Sequence, residues 1–460
     1  MFLGLNEKNS TSTAIIDDSK ASVTYGELCT FSQTFSSFVK KRTLAFILCD
    51  NEIGAIAGFI ASLSNAVVPL LLSSKIDKVL LDQLIEKYHP TYFWQSSDTE
   101  FDFKSEPIFS AYGYELLTTG LTPYSLHEDL SMLLSTSGST GSPKLVRHSY
   151  KNVERNAENV ARFFELSTED RPIAALPIHY TMGLSVVVSH LYAGATILLT
   201  KRGLLDPAFW QFLKEQKATS FTGVPYNFEL LHKLRFFRMD LPSLTLLTQG
   251  GGKLSEQLFK DFADFADRTG KKFIATYGQT EGTARMAYLP AHLATQKTGS
   301  IGYAIPEGRL YVVNDKGEEL LDREQVGEMV YEGPNVTMGY ATEGVDLSKG
   351  DENHGVLYTG DIVKRDEDDA YYIIGRKNRF LKLYGLRISL DEIEQMIKSN
   401  FKVDCACSGD DQKMIVRITE EDIIKEVSKY IADKTQLYHQ AFEVVYEETI
   451  LRNEAGKIMY

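Results

Sequence analysis

Between Thr24 and Thr276, short apolar runs alternate with amphipathic stretches, and this alternation constrains the fold more than any other feature of the chain. The runs Leu130–Ser135, Ile173–Leu176, Ile197–Thr200, Leu244–Thr248 and Phe273–Thr276 have strand length, and most lead directly into a turn of small or polar residues. Ser149–Phe164 lines Val153, Ala157, Val160 and Phe164 on one helical face behind a serine able to cap it. A second helix is predicted over Ser255–Arg268, with Leu258, Phe262 and Phe265 inward and Gly270 past its end. Strands alternating with helices read as an α/β region, in which ligands gather beyond the carboxyl ends of strands.

After about residue 295 the text changes to turn-rich short strands, such as "GEMVYEG", which predicts a small β-rich subdomain. The last segment reads as strand, helix (Leu390–Ser399), strand and helix, a small α+β domain. At 460 residues the chain exceeds one ordinary core and should divide into at least two domains. Two uncharged runs of membrane-spanning length, Ile53–Leu72 and Ile178–Thr200, contain Gly, Ser and internal breaks that suit a buried helix followed by a buried strand rather than a span.

A net charge of −13 with no basic stripe opposes nucleic-acid binding, so any polyanionic ligand must be small and locally neutralised. Cys29, Cys49, Cys405 and Cys407 form no zinc spacing, and a reduced, cytoplasmic setting fits them. The start, "MFLGLNEKNS", lacks the basic-then-apolar pattern of a signal peptide.

The stretch "TSGSTGSPK", Thr136 to Lys144, joins backbone-exposing small residues to a lysine between two predicted strands, which points to an anion such as phosphate. Lys144 follows Pro143 and precedes Leu145, so this is not the Gly-Lys-Ser/Thr loop of P-loop kinases and ATPases. A serine hydrolase using Ser137 or Ser139 with His179 lacks its Gly-x-Ser-x-Gly elbow.

That stretch resembles the phosphate-loop signature of the adenylate-forming enzymes, the superfamily of acyl-CoA synthetases, luciferases and peptide-synthetase adenylation domains. The resemblance continues in order through "VTYGEL" (Val23–Leu28), "LPIHYTMG" (Leu176–Gly183), "GGGKL" (Gly250–Leu254), "YGQTE" (Tyr277–Glu281), "YTGD" (Tyr358–Asp361), "GRKNRFLKLYGLRISLDEIE" (Gly375–Glu394) and "NEAGK" (Asn453–Lys457). It implies a large N-terminal domain, residues 1–377, of two α/β sheet subdomains plus the β-rich one. A mobile α+β domain, residues 378–460, would follow a hinge near Asn378.

The implied activity is ATP-dependent conversion of a carboxylic acid to acyl-AMP, then transfer to a phosphopantetheine thiol of CoA or of an acyl carrier protein. Two anions must meet in such a site, so charge neutralisation and positioning dominate the chemistry. By the resemblance, Thr136, Ser137, Gly138, Ser139, Thr140 and Gly141 would cradle phosphates with Lys144 in support. Gly250, Gly251 and Gly252 would permit close approach of the nucleotide, and Tyr277 would offer a face to adenine. Thr280 would bond the α-phosphate, Glu281 would hold Mg²⁺, and Asp361 would accept the ribose hydroxyls. Arg376 would share that ribose contact or reach a phosphate oxygen.

Lys457 resembles the lysine that bridges carboxylate and α-phosphate. After domain rotation, the loop carrying Lys382, Gly385 and Arg387 would face the thiol, with Gly385 giving the arm room and the two cations supporting the loop or the donor. The sequence departs from the pattern at Asn378, usually Asp or Lys, at Leu451, usually Pro, and at Asn453, usually Thr. The trimmed C-terminal domain bears more on a CoA-binding surface than on adenylation.

Family positions lining the acid site correspond to His179, Tyr180, Met182, Val224, Gly250, Gly278 and Met286. His179 is either a gate or a satisfied core histidine. Leu176–Thr200 contains no Asp or Glu to meet an α-ammonium, so an apolar or aryl acid is expected in preference to an amino acid. Rivals are amino-acid or amide-forming ligation and, in another class, a catalytically silent acyl-nucleotide-binding module.

Overall fold

The computed structural model describes residues 1–99, 105–135, 144–384, 386–410, 412–435, 437–452 and 458–459. Among the described residues, one large sheet runs in spatial order Tyr340–Ala341, Leu145–Ser149, Leu130–Ser135, Val68–Ser73, Leu44–Cys49, Tyr92–Ser96, Tyr114–Thr118 and Phe109–Ala111. Its centre, from Leu130–Ser135 to Tyr92–Ser96, is parallel, whereas Leu145–Ser149 turns back antiparallel on Leu130–Ser135. The second large sheet has a parallel centre of Lys272–Tyr277, Leu246–Gln249, Ser220–Gly223, Pro172–Ala174, Ile197–Leu199 and Thr13–Asp17. A smaller antiparallel sheet follows, with strands Arg309–Val313, Val326–Glu332, Val356–Arg365 and Tyr371–Arg376.

The two uncharged runs resolve as expected. Ile53–Ser64 is a helix leading into Val68–Ser73, and Thr181–Ala193 is a helix leading into Ile197–Leu199. Both helices are apolar on nearly every side because they lie in one core with residues of both large sheets, such as Ile47, Leu71, Ile15 and Leu199. Among the described residues no helix is long and apolar enough to cross a membrane. The helix Tyr150–Phe164 is closed by a reciprocal cap between Ser149 and Asn152. The helix Glu256–Thr269 is capped by Ser255 and ended by Gly270 at φ 67°, with Phe259 rather than Leu258 fully buried beside Phe262 and Phe265.

Beyond Arg376 the chain builds a hairpin, Phe380–Leu383 with Leu386–Ser389, and a sheet of Cys405–Gly409, Met414–Ile418 and Phe442–Tyr446 packed on helices Leu390–Phe401 and Ile424–Thr435. These elements share an apolar core of their own, which includes Leu383, Ile397, Cys407, Val416 and Ile431.

Two polar residues join the parts. Asn51, at the carboxyl end of Leu44–Cys49, donates to the carbonyls of Ala174, Leu176 and Thr200 and accepts from Ile178 N, tying one large sheet to the other. Arg147 is fully buried, and all of its N–H donors are engaged: Nε to Tyr340 O, Nη1 to Lys349 O and Gly350 O, Nη2 to Met338 O and Glu352 Oε2. Gly339, at φ +108°, passes so close that a Cβ there would stand 3.2 Å from Nη2. Replacing Arg147 with Met should lower stability by about 3–5 kcal/mol, since it leaves several backbone carbonyls without their donor. Chemical denaturation checks this, and a loss under about 1 kcal/mol would contradict the clamp.

Candidate functional site

The site gathers where strands of the two large sheets end. Lys144 opens the strand Leu145–Ser149, and its Nζ stands 5.4 Å from the centre of the Tyr340 ring. Tyr340 is held opposite Val146 by strand pairing, and its hydroxyl donates to Glu281 Oε1 at 2.6 Å. Lys144 and Glu281 are thereby brought to opposite sides of one tyrosine. Glu281 sits on a single helical turn, Thr280–Gly282, and its carbonyl accepts from Thr337 N. Thr280 Oγ1 lies 2.8 Å from Thr181 Oγ1, at the start of the helix Thr181–Ala193.

A second group surrounds Asp361, which is 3% exposed. Tyr277 Oη and Gln279 Nε2 donate to its Oδ2, and Arg376 Nε stands 3.3 Å from its Oδ1. Burial raises the Asp361 pKa above the usual carboxylate range, against the opposing pull of Arg376 and of the Tyr277 and Gln279 hydrogen bonds. A carboxylate offers about four lone-pair sites, so the protein donors leave little free capacity unless the half-exposed Arg376 shares or yields its place. Tyr277 differs from its expected role. Its ring is buried with Met286, Val312 and Met329, and its hydroxyl is spent on Asp361, so no broad face lies open to adenine in this structure.

The third group is apolar. His179 and Tyr180 stand with ring centres 4.5 Å apart, ahead of Met182 on the first turn of the helix Thr181–Ala193. A Cβ on Gly250 would lie 2.4 Å from Met182 Cε and 2.6 Å from Thr276 Oγ1, and one on Gly251, at φ +76°, would lie 3.1 Å from Val224 Cγ1. The chain at Gly278 passes so near Ala284 O, 1.6 Å from where a Cβ would be, that only glycine fits. Met182, Val224 and Gly250–Gly251 thus pack together, and His179, Val224, Gly250 and Gly278 all follow the carboxyl ends of parallel strands of the second large sheet.

Met286 does not join them: it is fully buried in the core of the small antiparallel sheet, beside Gly282 and Tyr331. Its neighbour Arg285 turns the other way, reaching Thr276 Oγ1 with Nη1 at 3.1 Å.

Thr136, Ser137, Gly138, Ser139, Thr140, Gly141, Gly385 and Lys457 lie outside the described residues. Lys382 and Arg387 are register partners across the hairpin Phe380–Leu383/Leu386–Ser389, and Asn378 lies on the single turn Lys377–Arg379 just before it. Sequence reading missed Thr181, Gln279, Arg285 and Tyr340. Gln279 stood inside a recognised motif, whereas nothing in "TMGY" marks Tyr340 as a partner of a residue 59 positions away.

The Asp361 environment has a pH signature. A carboxyl group whose folded pKa is raised favours the folded state below its unfolded pKa, and that contribution is lost as pH rises through the folded value. Asp361→Asn removes the buried charge while keeping an oxygen for Tyr277. The variant should therefore gain stability relative to the parent as pH rises from about 4 to 7, and denaturation midpoints across that range test the sign.

An indoleacetate–CoA ligase from Aromatoleum aromaticum is 30% identical over 268 residues, 58% of this chain and 51% of that protein. An oxalate–CoA ligase from Arabidopsis thaliana is 26% identical, with 65% of its length matched, so the chain spans about half to two thirds of these relatives. A 2-succinylbenzoate–CoA ligase from Bacillus cereus is 25% identical across 92% of this chain and 88% of its own length.

Among solved structures, the O-succinylbenzoate coenzyme A synthetase of Bacillus subtilis in complex with AMP superposes with a TM-score of 0.81 at 21% identity, covering 99% of this chain and 96% of that one. ATP-bound MatB from Rhodopseudomonas palustris gives 0.78 at 20% identity, covering 100% and 96%. These structures share the fold: a large domain of sheets followed by a smaller C-terminal domain. The family described as AMP-binding enzyme matches residues 6–341, and the chain belongs to that family.

Proposed function

We propose that this chain activates a carboxylic acid by its attack on the α-phosphate of ATP, releasing pyrophosphate, and passes the acyl group from acyl-AMP to the phosphopantetheine thiol of CoA. The observation that carries this reading is that Lys144 and Glu281 meet at Tyr340, while Thr280 meets Thr181, the residue before Met182, which packs on Gly250 beside Gly251 and Val224. A cation, a carboxylate and a hydroxyl at the mouth of an apolar slot suit the meeting of a triphosphate with an apolar acid. The names of the relatives, CoA ligases acting on indoleacetate, oxalate and 2-succinylbenzoate, support the same reaction class.

In this reading Thr136–Gly141 and Lys144 hold the β- and γ-phosphates, Thr280 and Thr181 orient the α-phosphate, and Asp361 with Arg376 takes the ribose. Glu281 suits Mg²⁺: it is one half-exposed carboxylate steadied by Tyr340, and among the described residues no cluster of three or more metal-ligating side chains competes for the ion. Magnesium bound mostly by phosphate and water needs only one such protein oxygen, and when bound it would neutralise phosphate charge.

Residues 1–377 form the adenylating domain and 378–460 the moving one, with the hinge near Asn378. The separate apolar core beyond Phe380 and the internal Arg379 ion pairs to Asp391 and Glu394 support that division. A carrier protein is the alternative acceptor, since the C-terminal domain is short. Four free thiols suit a reducing cytoplasm.

Pyrophosphate exchange across a panel of acids tests the first half-reaction, and silence with every acid would favour a nucleotide-binding module without turnover. Lys457→Ala should lower exchange by a factor on the order of 10²–10³ yet leave thiol transfer from supplied acyl-AMP nearly intact. Tyr340→Phe should raise the magnesium concentration needed for half-maximal exchange by about threefold to tenfold, since the loss of one neutral-to-charged hydrogen bond frees the Glu281 carboxylate to wander.

A further inference from the structure

Arg285 is 1% exposed, yet among the described residues no carboxylate approaches it. Nη1 donates to Thr276 Oγ1, Nε donates to Ser185 Oγ at 3.3 Å, and the guanidinium stands 4.9 Å from the centre of the Phe164 ring. Only part of its five-donor fork is engaged, in contrast to Arg147. Burial brings its pKa down to about 9, so it still carries its charge at neutral pH.

Its backbone is pinned, the carbonyl accepting from both Asn156 Nδ2 and Asn335 Nδ2. The helices that supply Asn156 and Ser185 carry two buried groups with unmatched polar atoms among the described residues: Asn159 Nδ2 and His190 Nε2, the latter close enough to feel the guanidinium charge. An unpaired buried cation is costly, and such incomplete polar clusters persist where a ligand completes them.

Position decides which ligand. Thr276, the direct partner of Arg285, meets Met182 at Gly250, the wall of the apolar crevice that opens toward Thr280. The guanidinium is therefore one hydrogen bond away from the Gly250–Met182 contact, on the Thr276 side of it. Met182 packs against the same glycine, and methionine repacks readily.

We propose that Arg285 recognises a second carboxylate on the acid substrate, at the end of the molecule opposite the carboxylate that is adenylated. The inference rests on the adenylation reading above and narrows its substrate class to dicarboxylic acids with an apolar spacer. It also accounts for the lack of an acidic residue for an α-ammonium: this pocket already holds a cation.

The test is ATP–pyrophosphate exchange with glutarate, adipate and phthalate, each beside its monomethyl ester, together with hexanoate and benzoate. The full-length enzyme should prefer at least one diacid over its own monoester by on the order of 10²-fold in kcat/KM, because the ester leaves the guanidinium unpaired. Arg285→Met should erase or invert that preference, and Arg285→Lys should retain part of it. If Arg285→Met fails to fold, as judged by circular dichroism, Thr276→Val serves instead and should reduce the preference by removing the hydroxyl that aims Nη1. Equal or better use of monoacids by the parent enzyme, or a preference unchanged in the substituted enzymes, would overturn the inference and leave adenylation standing. No exchange with any acid would overturn both.

Discussion

The nucleotide side of this molecule depends on one buried guanidinium. Arg147 spends all of its donors on segment 338–352, and that segment is what carries Tyr340 to Lys144 and Glu281. Four of the five bonds end on backbone carbonyls, so the clamp fixes the path of the chain rather than any one side chain. The single ionic partner, Glu352, remains half-exposed, which limits the desolvation cost of the pair.

The same economy of charge governs the reaction site. The proposed reaction would bring a triphosphate and an acid together on a protein with a net charge of −13. Cations stand at separate stations: Lys144 over Tyr340, Arg376 beside Asp361 and Arg285 buried against Thr276. Asp361, the most deeply buried carboxylate among them, is held by a tyrosine, an amide and an arginine, so it stays aligned even though burial disfavours its charge. Lys253, in the motif after the glycines, donates to Ile373 O and so ties the second large sheet to the small one beside that station.

Close approach shapes the acid side. Gly250 and Gly278 leave no room for a Cβ, which brings Met182, Thr276 and Ala284 against the backbone and narrows the slot. The segment after Gly282 sends Met286 into the core of the small sheet and Arg285 to Thr276 Oγ1.

The sequence by itself determined the α/β architecture, the buried character of both long apolar runs, and the order of the phosphate, adenylate and C-terminal motifs. Those features are written in local periodicity and in residue types that occur within a few positions of one another. Tertiary structure decided the rest. It paired Tyr340 with Glu281 across 59 residues, withdrew the Tyr277 ring into a core, and sent Arg285 to Thr276 while Met286 entered the small sheet's core. Each of these outcomes turns on strand register and side-chain parity, which are set by what packs against a segment after folding and leave no mark on the segment's own composition.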